Sequence, residues 1–289
     1  MRILITGSNG QLGNEIRVLA ENYPEYEFIY TDIDELDISE PNKVEDFFSA
    51  NRPEAIINCA AYTAVDKAES DKHLAYLINT TAVENLCKAA CQIDALMVHV
   101  STDYVFDGKY WSPYVENDPT NPQSVYGRSK LAGEEAVWKY ARKGLIIRTS
   151  WLYSAFGNNF VKTMIKYGTE REELNVVSDQ IGTPTYARDL AKAILDIIPK
   201  ALEMEGSSLY HYSNEGVASW YDFADMIIKF SGINCIVKPI QTKDYPVHAV
   251  RPCFSVLNKA KIKETFNITI PNWRESVKDC IQRLKQQPN

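Results

Sequence analysis

The first thirteen residues commit this chain to a narrow set of folds. Arg2-Ile-Leu-Ile-Thr6 is a short apolar run of strand type, and Gly7-Ser-Asn-Gly10-Gln11-Leu12-Gly13 follows without a spacer. Leu12, Ile16, Leu19 and Ala20 then share one helical stripe. In a strand, glycine turn and helix of this kind, the backbone turns tightly and can approach a pyrophosphate, whose charge rests at the helix N-terminus. The competing reading is a plain glycine turn. Its position directly between a strand and an amphipathic helix favours the nucleotide site.

The pattern then repeats. Glu27-Phe-Ile-Tyr-Thr31 reads as a second strand ending in Asp32, about twenty residues past the glycines. A carboxylate there can bond the adenosine ribose hydroxyls and repel a 2′-phosphate, favouring NAD over NADP; a simple turn aspartate is the alternative. Asp37-Ile38-Ser39 leads into a helix with Ser39 as its expected N-cap and Val44, Phe47 and Phe48 as its buried stripe. Ala55 to Cys59 is a third strand, and the small Ala60 and Ala61 ahead of Tyr62 let a flat cofactor lie close to the backbone. A long helix from about Asp71 to Ile93, strands over Ala95–Val100 and Leu145–Thr149, and a further strand at Leu174–Val177 continue the alternation.

Such alternation implies right-handed crossovers and an α/β fold, a Rossmann-type doubly wound parallel sheet. Ligands in these sheets bind at the carboxyl ends of the strands, where Gly10, Asp32, Ala60 and Thr102 all fall. Residues 1–150 read as the dinucleotide-binding domain, with segments at about 174–200 returning to it. Residues 151–289 read mainly as a smaller mixed α/β substrate-binding region. In that region Phe160–Tyr167 and Tyr186–Ile198 look helical, Ser219-Trp-Tyr-Asp222 resembles a capping box before a helix ending at Gly232, and Trp273–Leu284 reads as a closing helix. Only Gln286–Asn289 look frayed.

The chemistry concentrates between His99 and Glu135. Val98-His99-Val100-Ser101-Thr102-Asp103 delivers a hydroxyl at the end of a strand, and a helical pattern opens near Tyr126. Tyr126 and Lys130, four apart, share a helix face. An ammonium beside the phenol is expected to pull the tyrosine pKa below its usual value of about 10, and Thr102 can fix a substrate oxygen for proton exchange. The spacing by itself also fits a solvated helix pair.

A net charge of −7 with no basic stripe argues against nucleic-acid binding, and no apolar span long enough to enter a membrane is present. Met1 runs straight into a strand pattern without a signal peptide, so a cytoplasmic location is expected. Six scattered cysteines read as reduced core thiols, with Cys87 and Cys91 as packing residues on one helix face.

The glycine loop, Ser101-Thr102-Asp103 and the Tyr126/Lys130 pair, in this order, resemble the extended short-chain dehydrogenase/reductases. Longer strings narrow the resemblance to a reductase branch acting on dTDP-linked keto sugars: Ala60–Glu69, Ser101–Asp107, Val125–Glu134, Arg148–Tyr153 and Arg251-Pro252. The resemblance implies reduction of a 4-keto group with NADPH or NADH. Tyr126 would be the proton donor, Lys130 would hold the nicotinamide ribose and Thr102 would be the third catalytic residue. It further implies that Gly7, Gly10, Gln11, Leu12, Gly13, Asp32, Asp37, Ile38, Ala60, Ala61 and Tyr62, with Tyr126 and Lys130, contact the cofactor. Thr102, Asp103 and Trp151 would contact a dTDP-sugar; a buried aromatic is the other reading of Trp151. Some members form magnesium-bridged dimers through three glutamates. Glu15 fits the first, Arg188 stands where the second is expected and the chain ends before the third, so a monomer or weak homodimer without bridging metal is expected. Rival readings are a non-catalytic NADP-binding relative similar to the methionine adenosyltransferase β-subunit, and a sugar-nucleotide epimerase or dehydratase.

Overall fold

The computed structural model describes residues 1–245 and 249–286. Strand β1 (Arg2–Thr6) buries Ile3 to Thr6 consecutively, as strands covered on both faces do. It feeds α1 (Gln11–Leu19), which buries Leu12, Ile16 and Leu19. Next come β2 (Glu27–Tyr30), α2 (Pro41–Asn51), β3 (Ala55–Asn58), the short α3 (Val65–Ala68) and α4 (Lys72–Tyr76). The long helix expected over Asp71–Ile93 is α4, a π-helical turn at Leu77–Thr81 and α5 (Ala82–Gln92) in one run. β4 (Leu96–Thr102), α6 (Val125–Tyr140) and β5 (Lys143–Thr149) complete the regular alternation.

Beyond residue 149 the elements shorten: β6 (Leu152–Tyr153), α7 (Phe160–Glu170), β7 (Glu173–Val177), β8 (Ile181–Gly182) and β9 (Thr185–Tyr186). α8 (Ala187–Leu202), β10 (Gly206–His211), β11 (Ala218–Ser219), α9 (Trp220–Ser231), β12 (Ile236–Ile240), α10 (Ala260–Phe266) and α11 (Trp273–Gln286) follow. α11 includes Gln286, and the remainder of the frayed end expected there lies outside the described residues.

The central sheet has six parallel strands in the order β2-β1-β3-β4-β5-β10. The strand order reverses between β1 and β3, which opens a crevice above their carboxyl ends. One face is covered by α1 and α8, through Ile16, Leu190, Ile194 and Ile198. The other packs Val44, Phe48, Leu86 and Val137 from α2, α5 and α6. A third core, around Val161, Leu174, Phe223 and Trp273, belongs to the later elements.

Three local expectations are corrected. The N-cap of α2 is Glu40, not Ser39, because Pro41, which needs no N–H partner, takes the first helical position; Ser39 instead donates its hydroxyl and amide to Asp37. The strand at Leu174–Val177 stays outside the central sheet and pairs in parallel with β12, while the sixth central strand is β10. Cys91 and Cys253 are exposed rather than in the core. At α9, Ser219 and Asp222 form a reciprocal capping box and Gly232 closes the helix with φ of 73°.

Candidate active site

The turn after β1 is shaped by backbone contact. Gly7 has φ of +60°, and a Cβ there would stand 2.6 Å from Ala60 Cα, so only glycine lets the β1 and β3 ends approach so closely. Gly10 caps α1 in an extended conformation with no side-chain cap, leaving first-turn amides of the helix available to an anion. Above this turn lies a cleft of about 610 Å³ lined by Gly7, Gly10, Asp32, Asp37, Ile38 and Ala60, among others. Asp32 also anchors the loop, since its carboxylate accepts the Asn9 and Ile33 amides at 3.0 and 2.9 Å.

Gly10, Cys59, Ala60 and Ala61 are shared with a second cleft of about 520 Å³, so the two form one trough across the strand ends. The second cleft adds Gln11, Leu12, Thr102, Asp103, Tyr126, Lys130 and Trp151. Two expected contact residues do not line the trough. Gly13 backs onto Ser8, where a Cβ would meet Ser8 Cα at 2.5 Å. Tyr62 packs against the cluster of Ala68, Ala75 and Val125, while its backbone is held by Asn79.

Thr102 ends β4 almost fully buried; its hydroxyl donates to Asp103 at 3.0 Å and accepts the Tyr104 amide at 3.2 Å. Ser124 caps α6, so Tyr126 stands in the first turn, its ring edge-on to Tyr104 with centroids 5.5 Å apart. Tyr126 shares this cleft with Thr102. The phenol pKa is pushed up to about 12, first by burial and also by Asp103, with the Thr102 hydroxyl opposing. This overturns the expectation that Lys130 draws the phenol down. The lysine is buried on the sheet side, donating to Val100 O at 2.7 Å and standing 3.4 Å from His99 Nε2. Burial lowers the Lys130 pKa to about 8 and raises that of Asp103 to about 6.

Several residues that sequence reading passed over also shape the site. Trp220 stacks on Trp151 with centroids 3.6 Å apart, so Trp151 both lines the trough and packs in the later core. Asn159 donates to Gln11, joining the later region to the glycine loop. Glu134 binds Arg148 at 2.9 and 2.7 Å and also accepts from Ser101. Arg251 pairs with Asp66 of α3 at 2.6 Å, bringing together two of the strings singled out in the sequence. A lone histidine in the apolar run before Thr102 was the only sequence signal for His99. The trough can therefore hold an extended dinucleotide beside a buried acid, a hydroxyl and an amine.

Comparison with known proteins agrees with this geometry. A family described as RmlD substrate binding domain matches residues 1–286. The chain is 42% identical to dTDP-4-dehydrorhamnose reductase of Escherichia coli K12, over 98% of both sequences. A dTDP-4-dehydrorhamnose reductase structure from Clostridium acetobutylicum superposes with a TM-score of 0.94 at 45% identity, covering 99% of this chain and all of that one. The Bacillus anthracis enzyme in complex with NADP gives 0.93 at 40% identity, covering 98% and 99%.

Proposed function

The chain belongs to the RmlD family, whose full-length relatives include dTDP-4-dehydrorhamnose reductases, and on that basis we propose the residues through which it acts. It is an NAD(P)-dependent oxidoreductase that reduces the 4-keto group of dTDP-6-deoxy-L-lyxo-4-hexulose to give dTDP-L-rhamnose, with NADPH or NADH as reductant. The observation that carries the residue assignment is the convergence of Thr102, Tyr126 and Lys130 in one half of a trough whose other half holds Asp32, Asp37 and Ile38, with Gly10 of the glycine turn shared between them.

The uncapped N-terminus of α1 and the close backbone at Gly7 fit a pyrophosphate, and Ala60 and Ala61 leave room for a flat ring. Gly7, Gly10, Ala60 and Ala61 would hold a reduced nicotinamide dinucleotide, which would supply hydride to the carbonyl carbon. Tyr126 donates the proton to the carbonyl oxygen, which the Thr102 hydroxyl helps to hold. A phenol near 12 stays protonated through the neutral range, which is the state a general acid needs at the start of a reduction. Lys130 holds the ribose and compensates the phenolate left behind. Asp103 and Trp151 contact the sugar nucleotide.

In this reading residues 1–150, together with α8 and β10, carry the cofactor, and the later elements carry the sugar nucleotide. The reaction is assigned to the cytoplasm. The Glu15 carboxylate is already engaged by Arg283 and Ser154, which supports a monomer or weak dimer without bridging magnesium. Sedimentation with and without a chelator tests this assignment, and a dimer lost on chelation would overturn it.

The direct test of the site follows NAD(P)H oxidation with the 4-keto sugar nucleotide. Tyr126→Phe is expected to lower kcat by about 10²–10⁴ with cofactor affinity near that of the native chain. Retention of half the activity would remove Tyr126 as the acid.

A further inference from the structure

Behind Lys130 the sheet holds a histidine that the mechanism above leaves unused. His99 lies on β4, fully buried, with Nδ1 3.2 Å from Asn58 Nδ2 and Nε2 3.4 Å from Lys130 Nζ. The Asn58 amide can adopt one orientation only. The Ala60 amide, which can only donate, reaches Oδ1 at 3.2 Å, and the Thr6 hydroxyl reaches the same oxygen at 2.7 Å. Asn58 Nδ2 therefore donates, and His99 Nδ1 must accept. The imidazole is neutral, because burial holds its pKa well below the usual value. A neutral ring that accepts at Nδ1 carries its proton on Nε2, and that N–H faces the lysine. Gly133 of α6 lies against both Asn79 O and the ring: a Cβ there would stand 2.3 Å from Asn79 O and 3.3 Å from His99 Nε2.

We propose that His99 is a positioning residue for Lys130: its Nε2–H, oriented by Asn58, occupies the buried side of the amine, so that the amine turns its own protons to Val100 O and to the trough. The inference rests on the role given to Lys130 above. A donor at that position can bond the lone pair of a neutral amine and disfavours an ammonium, so it acts in the same direction as the burial that lowers the lysine.

The other ionisable groups packed there leave this effect standing. Glu134 on α6 opposes it, but its charge is shared with Arg148 of β5. Asp103 and Tyr104, after β4, act on the phenol side. Cys59, after β3, is pushed up by burial and stays uncharged.

The experiment combines ¹⁵N-histidine and ¹³Cε-lysine NMR on the full chain with the pH profile of kcat/KM. In the native chain His99 is expected as the Nε2–H tautomer. Asn58→Asp should convert it to Nδ1–H, turn Nε2 into an acceptor and raise the Lys130 titration. His99→Met should raise that titration by about one pH unit, a tenfold change in proton affinity, whereas His99→Gln, which restores an N–H, should return it towards the native value. An Nδ1–H tautomer in the native chain, or a lysine titration unmoved by both Asn58→Asp and His99→Met, overturns the proposal. The native tautomer and Asn58→Asp decide the matter even if His99→Met does not fold. Full activity in Lys130→Met would instead overturn the role of the lysine, and the NMR titration distinguishes the two failures.

Discussion

At the scale of single residues, Asp32 has two duties that conflict. Its carboxylate closes the glycine loop through the Asn9 amide and also lines the cleft where an adenosine ribose would lie. A negative charge there repels a 2′-phosphate, yet a structural relative is in complex with NADP. Asp32 is partly exposed, so solvent and salt weaken the repulsion and a preference replaces exclusion. Asp32→Asn keeps an acceptor for Asn9 while removing the charge. It is expected to improve kcat/KM for NADPH relative to NADH, with the gap between native and variant narrowing as ionic strength rises. A native chain strongly selective for NADPH would show that the carboxylate does not face the ribose.

At the scale of elements, α6 is held by a buried charge pair as well as by the apolar packing of Ala136 and Val137. Glu134 on α6 is gripped by Arg148 of β5 and by Ser101 of β4, with both charged side chains under 5% exposed. Such pairs add little net stability, but breaking one strands a charge in the interior. Arg148→Ala is therefore expected to cost about 3–5 kcal/mol in chemical denaturation. The paired replacement Arg148→Met with Glu134→Gln should recover most of that loss, because neither partner is then left charged. Equal losses in the single and paired variants would mean that packing around Arg148, not charge, holds α6.

At the scale of the whole molecule, the C-terminal helix is tied back to the first one. Arg283 of α11 reaches the fully buried Glu15 of α1 at 2.8 Å and bonds Tyr186, while Arg188 stands 3.6 Å from the same carboxylate. Because α1 begins at the glycine turn, this contact joins the later elements to that turn. Arg283→Ala is expected to destabilise the chain by roughly 3 kcal/mol, the low end for a broken buried pair because Arg188 remains, and to raise the KM for cofactor. An unchanged denaturation midpoint would show that Arg188 alone satisfies Glu15.

The same contrast between near and distant contacts separates what was legible in the sequence. The strand–glycine–helix unit and the capping box of α9 could be read directly, since each depends on residues a few positions apart: period, turn geometry and local hydrogen bonds; the parallel sheet followed from the alternation of strands and helices. Thr102, Tyr126 and Lys130 could be named for a related reason, because strand ends and helix faces fix where such side chains emerge. Tertiary structure alone decided that β10, and not the strand at Glu173–Val177, completes the sheet: Gly206–His211 carries only Leu209 and Tyr210 as large apolar residues, so its strand character shows once it pairs with the β5 edge. It also reversed the expected shift of Tyr126. A helical spacing places an ammonium near a phenol, but burial, Val100 O and His99 determine which way that ammonium turns.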